Sequence, residues 1–443
     1  MTITIERTEA EKALVKHFYK YGAKLPGNTK ITELRKSAIE TFNKLGLPHR
    51  RIEEWKYTDL RPKILAAFAP PLVKKVFIDQ STLNQRLGPL AKLDAIRLIF
   101  VNGKFEASLS NTSIIDNLEL KFTPISLALH EKHFTDTHDE IYQSNDLDPI
   151  VSLNTAFMSD GAALSLSSSP PKPIHIVHIA TGTQPATITT RNMISVAKGI
   201  KATIVESFFT DSNQPMQINA LTQLNVASGA EVAHIKIQRE SQLSTHLSKW
   251  LVNLGAKSIY RGFQYSEGAN LSRNEIKVGF KGANATADIS GIDLLRDEQH
   301  CDTFVHVDHA EPECKSRELF KLVLDGCSRG IFQGKVKVHS RAQKTDGKQV
   351  AQALLLSSGC EFNSKPELEI YADDVSCGHG STCAEIDLDL IFYFRSRGIP
   401  EATARELLIQ SFVAESLEKI EDQSIFEELS KVIHDWFARI STY

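Results

Sequence analysis

Two kinds of hydrophobic pattern divide the chain, helical near its ends and strand-like in its middle. Residues 4–46 predict two helices. In the second helix, apolar residues recur mostly three and four positions apart, which places them on one face. Gly46 fits the left-handed position that ends a helix, and Pro48 prevents its continuation. The predicted apolar face consists of Ile31, Leu34, Ala38, Ile39, Phe42 and Leu45.

Strand patterns begin further along the chain. The stretch AIRLIFVNGKF (95–105) predicts two short strands around a turn at Asn102 and Gly103. A boundary rich in Ser and Pro follows at SSSPPKPIHIVHIA (167–180). From there to about residue 386, short β runs follow one another with few segments of helical periodicity.

The β runs share one plan, in which a run ends, a glycine follows, and a small or apolar residue precedes the next run. The first four of these glycines lie 26 to 30 residues apart. A period in the twenties is typical of a solenoid, and glycine fits a tight corner that requires positive φ. We therefore predict β-helical coils. An antiparallel β-sandwich is the alternative, but hairpin strands recur about every 8–12 residues. The glycines are Gly199, Gly229, Gly255, Gly282 and Gly359, with Gly330 before the last.

After Asp389 the pattern becomes helical again. Pro400 suits the first turn of a helix that runs to about Ile420, and Ser424 fits the N-cap of a second helix. Burying one large apolar side chain is worth about 1.5–3 kcal/mol, so these helices either pack on the body or dock another protein. Their apolar faces contain Leu408, Phe412 and Leu417, then Ile425, Phe426, Leu429, Val432, Ile433, Trp436, Phe437 and Ile440.

These patterns predict a mainly β fold in three parts. The first is a helical or mixed α/β N-terminal domain (1–165), the second a β-helix core (166–386), and the third a C-terminal α-helical domain (387–443). A length of 443 residues exceeds what one ordinary core supports, in agreement with this division.

Composition excludes several classes of protein. The formal net charge is −3, so no global charge attracts nucleic acid or an anionic membrane. No apolar run approaches the roughly 20 residues of a membrane helix, and the N-terminal stretch is charged from Glu6 onward, unlike a signal peptide. We expect a cytoplasmic protein. All six cysteines follow residue 300, which favours reduced thiols over a disulfide framework.

Residues 365–398 carry the strongest candidate chemistry, because Cys377, His379 and Cys383 fall within seven positions. The C-x-H-x-x-x-C spacing is not a standard zinc pattern. Thiolates and an imidazole suit zinc, copper(I) or iron–sulfur species, but buried structural cysteines are an equally good interpretation. Gly378 and Gly380 flank the histidine, which favours an accessible imidazole and close approach of another surface.

Other chemical patterns are weak. His306 and His309 lie at odd spacing, so they point to opposite faces of a strand and would need a turn to bind one metal. The sequence has no nucleotide-binding P-loop, no nucleophile elbow and no H-E-x-x-H helix. A β-helical carbohydrate-active enzyme and a zinc-stabilised structural protein remain alternatives on these residues alone.

Four segments resemble the SufB/SufD family of iron–sulfur cluster assembly proteins. They are AQKTDGKQ (342–349), SKPELEIYADDVSCGHGST (364–382), FYFRSRGI (392–399) and GLPHRRIEEWKYTDL (46–60). SufB carries a cysteine where this chain has Phe394, and a cysteine-rich N-terminal motif, whereas this chain has no cysteine before Cys301. CGHGST resembles the C-x-HGAT of SufD-type members. The chain is thus identified as a member of this family, with SufD the closer type.

The resemblance implies a right-handed parallel β-helix core and a non-catalytic scaffold subunit. It implies pairing with a SufB-like paralogue and docking of a SufC-like ABC ATPase on residues 387–443, with no nucleotide bound by this chain. It implies a transient iron–sulfur cluster shared with SufB, and it leaves homodimer formation by the isolated chain open. Neither nucleic acid nor a membrane is an expected partner.

The resemblance also assigns residues. His379 matches the histidine at the SufB–SufD interface, where it would contact the nascent cluster and its metal, and Cys377 occupies the nearby cysteine position. Cys383 matches no typical position and receives no role. The residues expected to contact a partner lie in the C-terminal region and are Arg395, Arg397, Leu408, Phe412, Phe426 and Trp436.

Overall fold

In the computed structural model, two parallel β-sheets face each other and form one solenoid of about seven turns. The structure describes residues 6–71, 78–112, 115, 120–132 and 148–440. Successive strands alternate between the sheets, so each coil contributes one strand to each. Apolar side chains from both sheets fill the space between them.

Sheet I has the strand order β19-β17-β15-β13-β11-β9-β7-β5-β1-β2. Its strands are β1 (Ile96–Val101), β2 (Lys104–Phe105), β5 (Ile174–Thr181), β7 (Lys201–Asp211), β9 (Glu231–Arg239), β11 (Ile259–Ser266), β13 (Thr286–Leu295), β15 (Lys315–Leu324), β17 (Asp346–Leu355) and β19 (Ser376–Glu385).

Sheet II has the order β18-β16-β14-β12-β10-β8-β6-β4-β3. Its strands are β3 (Leu120–Pro124), β4 (Ala162–Leu166), β6 (Ala186–Val196), β8 (Met216–Val226), β10 (Thr245–Leu254), β12 (Leu271–Phe280), β14 (His300–His309), β16 (Arg329–Val338) and β18 (Glu361–Ile370).

The pairing confirms a solenoid rather than an antiparallel sandwich. Within the described residues, antiparallel pairs occur only between β1 and β2 and between β3 and β4, at the N-terminal end. The β1–β2 pair is the hairpin predicted around Asn102 and Gly103, and both residues have positive φ, as a tight two-residue turn requires. Parallel coils explain the repeat, because each coil returns the chain to the same edge.

The glycines of the repeat have two different structural reasons. Gly199 and Gly229 have the predicted positive φ, and a Cβ there would meet nothing within 4 Å. Positive φ is the wrong explanation for Gly255 and Gly282. An added Cβ on Gly282 would lie 2.3 Å from the backbone nitrogen of Ala256 in the preceding coil. Close stacking of successive corners, which leaves no room for a side chain, therefore selects glycine at that position.

Gly359 and Gly330 also differ from the prediction. A Cβ on Gly359 would lie 2.7 Å from the carbonyl oxygen of Gly326, so this glycine too is required by close stacking. Gly330 lies within β16 and not at a corner.

The N-terminal helices confirm the predicted pair. Helix α1 (Glu9–Tyr21) is followed by α2 (Thr29–Leu45), and Gly46 ends α2 with a φ of 76°. Among the residues that the structure describes, the further helices before the regular coils are α3 (Leu60–Lys63), α4 (Gln80–Leu87), α5 (Ile125–Ala128) and α6 (Pro149–Phe157).

The segment between α2 and α3 packs against the outer face of sheet II. Trp55 is buried, and the guanidinium group of Arg273 on β12 lies over its ring and also over that of Phe304 on β14. Thr58 hydrogen-bonds to His300, with 2.8 Å between the hydroxyl oxygen and Nε2, and donates to Asp302. This segment is therefore anchored on several coils at once.

Three helices follow the last strand: α7 (Leu388–Ser396), α8 (Glu401–Leu417) and α9 (Gln423–Ile440). Helix α9 begins near the predicted residue, but the predicted cap is wrong. The Asp422 carboxylate, rather than Ser424, accepts the backbone N–H groups of Ser424 and Ile425. A carboxylate is an equally good N-cap and also favours the positive end of the helix dipole.

Helices α8 and α9 pack on the outer face of sheet I, which is the first of the two outcomes that their apolar faces allowed. Leu417, Leu429 and Trp436 belong to one cluster with buried residues of the sheet, such as Val323. No helix within the described parts of the chain is long and apolar enough to span a membrane.

Candidate functional site

The solenoid has an open end at its last coil. Strands β18 and β19 are the terminal strands of their sheets, and each pairs along one edge only within the described chain. The residues of β18 are mostly half-buried and those of β19 mostly exposed, whereas most of the preceding strand β16 is buried. Two adjacent strand edges and the inner face of the last coil therefore remain accessible.

Cys377 and His379 lie on β19 at this open end. They pair in register with Gly347 and Gln349 of β17. Sγ of Cys377 lies 3.6 Å from the position that a Cβ on Gly347 would take, and Ser316 approaches the same position from the coil below. Alternate residues of a strand share a face. Cys377 and His379 therefore both belong to the inward face of the last coil.

The cysteines of β19 differ in their surroundings. Cys377 is half-buried and packs against a cluster that includes Val336 and Ala372, and burial raises the pKa of its thiol. Cys383 is exposed, and its pKa is raised mainly by partial burial and then by the charge of Glu385. A raised pKa favours the protonated thiol, so ligation at either residue requires a metal or positive charge to displace the proton.

The two glycines beside His379 leave open space. A Cβ on Gly378 or Gly380 would meet nothing within 4 Å, and neither residue has positive φ. Contacts within the described chain therefore do not require glycine at these positions. The absence of side chains leaves the imidazole accessible from outside, as its exposure confirms.

A complete metal site is absent from the described residues. No group of three or more His, Cys, Asp or Glu side chains is placed to hold a metal ion. His306 and His309 confirm the sequence argument, because His309 points inward onto Ser316 and Phe280, whereas His306 neighbours Phe304. Cys377 and His379 would therefore need ligands from outside this set.

Helix α7 presents an apolar surface beside the open end that the sequence analysis missed. Leu388, Phe392 and Tyr393 are 70%, 74% and 54% exposed. Ile370 and Tyr371, at the end of β18, are also exposed. The signal was present in LDLIFYF (388–394), which is apolar apart from Asp389 and so offers no single stripe to bury.

The residues predicted to contact a partner fall into two groups. Arg395 and Arg397 are exposed at the end of α7, where Arg395 pairs with Glu401 at 3.4 Å and Arg397 lies over Tyr393. Leu408 on α8 is half-buried. The aromatic members pack on the body of the protein. Phe412 and Phe426 are half-buried there, and Trp436 is 1% exposed.

Polar contacts fix α8 and α9 on sheet I. Lys321 pairs with Glu415 at 2.6 Å, and the hydroxyl of Ser416 donates to the carbonyl oxygen of Gly291 at 3.0 Å. Near the end of α9, Arg439 pairs with buried Glu267 at 3.0 Å. Trp436 reaches another protein only if α9 leaves the sheet.

Comparison with family models matches nearly the whole chain. Residues 178–412 match the SufBD core domain of the SUF system for FeS cluster assembly, and residues 9–169 match the SufBD protein N-terminal region. The core match covers the regular coils, the open end and α7.

Curated relatives agree with these models. The chain is 31% identical over 434 residues to an iron–sulfur cluster assembly SufBD family protein of Synechocystis, covering 95% of this chain and 94% of the relative. It is 28% identical over 408 residues to the iron–sulfur cluster assembly protein SufD of Escherichia coli, covering 90% of this chain and 92% of the relative. It is 32% identical over 240 residues to the chloroplastic protein ABCI7 of Arabidopsis thaliana, covering 54% of this chain and 50% of the relative.

Proposed function

The chain belongs to the SufBD family of iron–sulfur cluster assembly proteins, and from this we propose that it is a SufD-like, non-catalytic scaffold subunit. In this proposal it pairs with a SufB-like paralogue, binds a SufC-like ABC ATPase and contributes to a transient cluster in the cytoplasm. One observation supports the proposal best. The open end combines unpaired strand edges, an accessible imidazole and an incomplete set of ligands.

Strand edges explain the proposed pairing. An exposed edge presents free N–H and C=O groups that pair with another strand. A second solenoid of the same kind could extend both sheets from β18 and β19. The apolar residues Leu388, Phe392 and Tyr393 lie beside these edges in the chain and would lose exposed surface on association. A heterodimer with a paralogue would bury both features, and a homodimer of the isolated chain uses the same edges.

The incomplete ligand set explains why the cluster would be shared. His379 offers an imidazole nitrogen and Cys377 a sulfur atom, both on the inward face of the last coil. Iron and sulfide arrive as cargo, and thiolate and imidazole ligands suit them. A second subunit would supply the remaining ligands. His379 is accessible without any rearrangement, whereas Cys377 must lose a proton from a partly buried thiol.

The proposed ATPase surface is the outer side of the C-terminal helices. Of the predicted contacts, Arg395 and Arg397 are exposed in this conformation, and Leu408, Phe412 and Phe426 are half-buried. Phe412, Phe426 and Trp436 would support that surface by holding α8 and α9 on sheet I, and Trp436 would contact the ATPase directly only if α9 moves.

Two variants test the proposal in the co-expressed, anaerobically purified complex. His379→Ala should leave the complex intact and reduce iron and sulfide content, because the change removes a ligand from an exposed position. Cys383→Ser is the matched control and should retain the wild-type content. Normal iron and sulfide in His379→Ala would remove this residue from the site.

The partner assignment is tested separately. Deletion of residues 387–443 should abolish retention of the SufC-like ATPase, whereas Leu127→Ser, a change at an exposed residue of α5, should not. Retention by the deleted chain would contradict the docking assignment. Turnover of a polysaccharide, or stoichiometric zinc lost on Cys377→Ser, would favour the alternatives.

A further inference from the structure

Gln349 is a buried polar residue next to His379 in the sheet. The two residues are register partners in the parallel pair of β17 and β19. Gly347 on β17 and Cys377 on β19 lie two residues earlier, and the Cβ position of Gly347 is next to the Cys377 sulfur on the inward face. Because alternate residues share a face and neighbouring strands lie about 4.8 Å apart, the side chains of Gln349 and His379 stack on the inner face.

The opposite sheet holds the Gln349 amide. Its Nε2 donates to the carbonyl oxygen of Glu367 on β18, with 3.4 Å between the two atoms. Its Oε1 lies only 1.8 Å from the position that a Cβ on Gly334 would take, so the amide uses space that the missing side chain of β16 provides. The arrangement is specific, because any residue other than glycine at 334 would displace Oε1.

Oε1 of Gln349 has no hydrogen-bond partner among the described residues, although Gln349 is 1% exposed. A buried acceptor without a donor costs about 1–3 kcal/mol. An amide oxygen has two lone pairs and can accept two hydrogen bonds. Donors on either side of Gln349 in the stack would therefore be stabilising.

One such donor lies below, toward the interior. Glu318 on β15 is the other register partner of Gln349. It is 2% exposed, and neither carboxyl oxygen has a partner in the described chain. Burial raises the pKa of Glu318 well above its usual value, which favours the protonated form of the carboxyl group. Glu318 and His379 thus flank Gln349 in the stack, one toward the interior and one toward the open end.

We propose that Gln349 is a positioning residue for His379, whose ring N–H donates to Oε1 and leaves the other nitrogen directed toward the open end. A histidine that binds a metal almost always donates its second ring nitrogen to such an acceptor, which fixes the tautomer. His379 is exposed, so its ring has a rotational freedom that a hydrogen bond to Oε1 would restrict. The use of this arrangement in cluster assembly rests on the proposed function, but the arrangement itself does not.

The tautomer of His379 tests the inference directly. The probe is the full-length chain labelled with ¹⁵N-histidine, kept anaerobic without iron or sulfide, with His379 assigned by comparison with His379→Ala. Gln349→Met has similar length but no acceptor, and should change the tautomer ratio by about two- to tenfold, the effect of one ordinary hydrogen bond. Gln349→Glu keeps an acceptor oxygen and should restore the wild-type ratio.

Two further variants separate positioning from general disruption. Lys348→Met changes the exposed neighbour on the same strand and should leave the ratio unchanged. Gly334→Ala displaces Oε1 without changing Gln349, and should reproduce the effect of Gln349→Met. An unchanged ratio in Gln349→Met and Gly334→Ala, or an equal change in Lys348→Met, would overturn the inference.

The outcome is independent of cluster assembly, because the imidazole itself is observed in a chain without iron or sulfide. If His379→Ala assembles clusters normally in the complex, the proposed function of His379 fails whether or not Gln349 orients its ring. If Gln349→Met leaves the tautomer unchanged, the positioning role fails even when His379→Ala loses its clusters.

Discussion

The guanidinium group of Arg273 lies over the ring of Trp55, with 4.6 Å between the guanidinium carbon and the ring centre. Arg273 also pairs with Asp302 at 2.5 Å and donates to the carbonyl oxygen of Glu54 at 2.8 Å. The N-terminal segment thus covers a buried cation on the outer face of sheet II, and the contact combines cation–π attraction with hydrogen bonds.

Trp55→Ala should lower the free energy of unfolding by about 3–5 kcal/mol, because it removes a buried aromatic side chain and leaves a cavity over Arg273. Urea denaturation measures the change, and limited proteolysis should show faster cleavage within residues 46–63. Tyr19→Ala is the control, since Tyr19 is 71% exposed and its loss should cost little. Equal stability of the two variants would contradict the anchoring role of Trp55.

The two kinds of corner glycine should respond differently to substitution. Gly199→Ala should cost about 1–2 kcal/mol from positive φ alone, and Gly199→Asn should recover part of this because Asn tolerates that conformation. Gly282→Ala should cost about 1–3 kcal/mol or more from overpacking against Ala256, and Gly282→Asn should be no better. Denaturant titration of the four variants measures these differences. Recovery by Asn at residue 282 would refute the steric explanation.

His178 should make the fold sensitive to acid. Burial lowers its pKa to about 4, and its ring stacks between Phe100 and Phe208. The unfolded chain therefore binds a proton below about pH 6.5 while the folded chain does not, so stability falls as the pH drops toward 4. His178→Phe should remove about 1.4 kcal/mol per pH unit of this dependence between those values.

Urea denaturation from pH 7 to pH 4.5 measures the slope for His178→Phe. Leu127→Phe is the control, since Leu127 is 61% exposed and carries no titratable group, so the slope should be unchanged. Parallel slopes for wild type and His178→Phe would show that His178 is not held neutral by burial.

Phe392→Asp should weaken association at the open end without weakening the fold. Phe392 is 74% exposed, so the folded chain loses little packing, while a charge at an apolar contact carries a desolvation cost. Analytical ultracentrifugation of the co-expressed subunits should show at least about a tenfold weaker complex, with an unchanged melting temperature. Leu127→Asp, at 61% exposure, is the matched control. An unaltered Kd would place the contact elsewhere.

The sequence predicted the fold well where the signal was periodic. The spacing of the corner glycines indicated coils because each coil repeats the same length, and the even spacing of Cys377 and His379 places both on one face of β19. The steric reason for Gly282 could not be inferred, since it depends on Ala256 in the preceding coil. Neighbours of that kind are defined by register and not by local pattern.

The candidate site was predictable in part. Its position came from the resemblance around residues 364–382, and the exposure of His379 from its flanking glycines. Gln349 was not recognised, although it lies in a matching segment, because its importance depends on pairing across strands β17 and β19. The packing of Trp436 on sheet I required the structure, since an apolar helical face does not identify what covers it.

Lys365 on β18 forms an ion pair with Glu53, a residue 312 positions earlier in the chain. The segment around Trp55 is synthesised early, whereas the strands that contact it, β12, β14 and β18, lie far later in the chain. Contacts of such long sequence separation form slowly. The segment therefore gains its contacts in steps, on β12 and β14 first and on β18 last, and its full set of contacts forms only when the solenoid is complete.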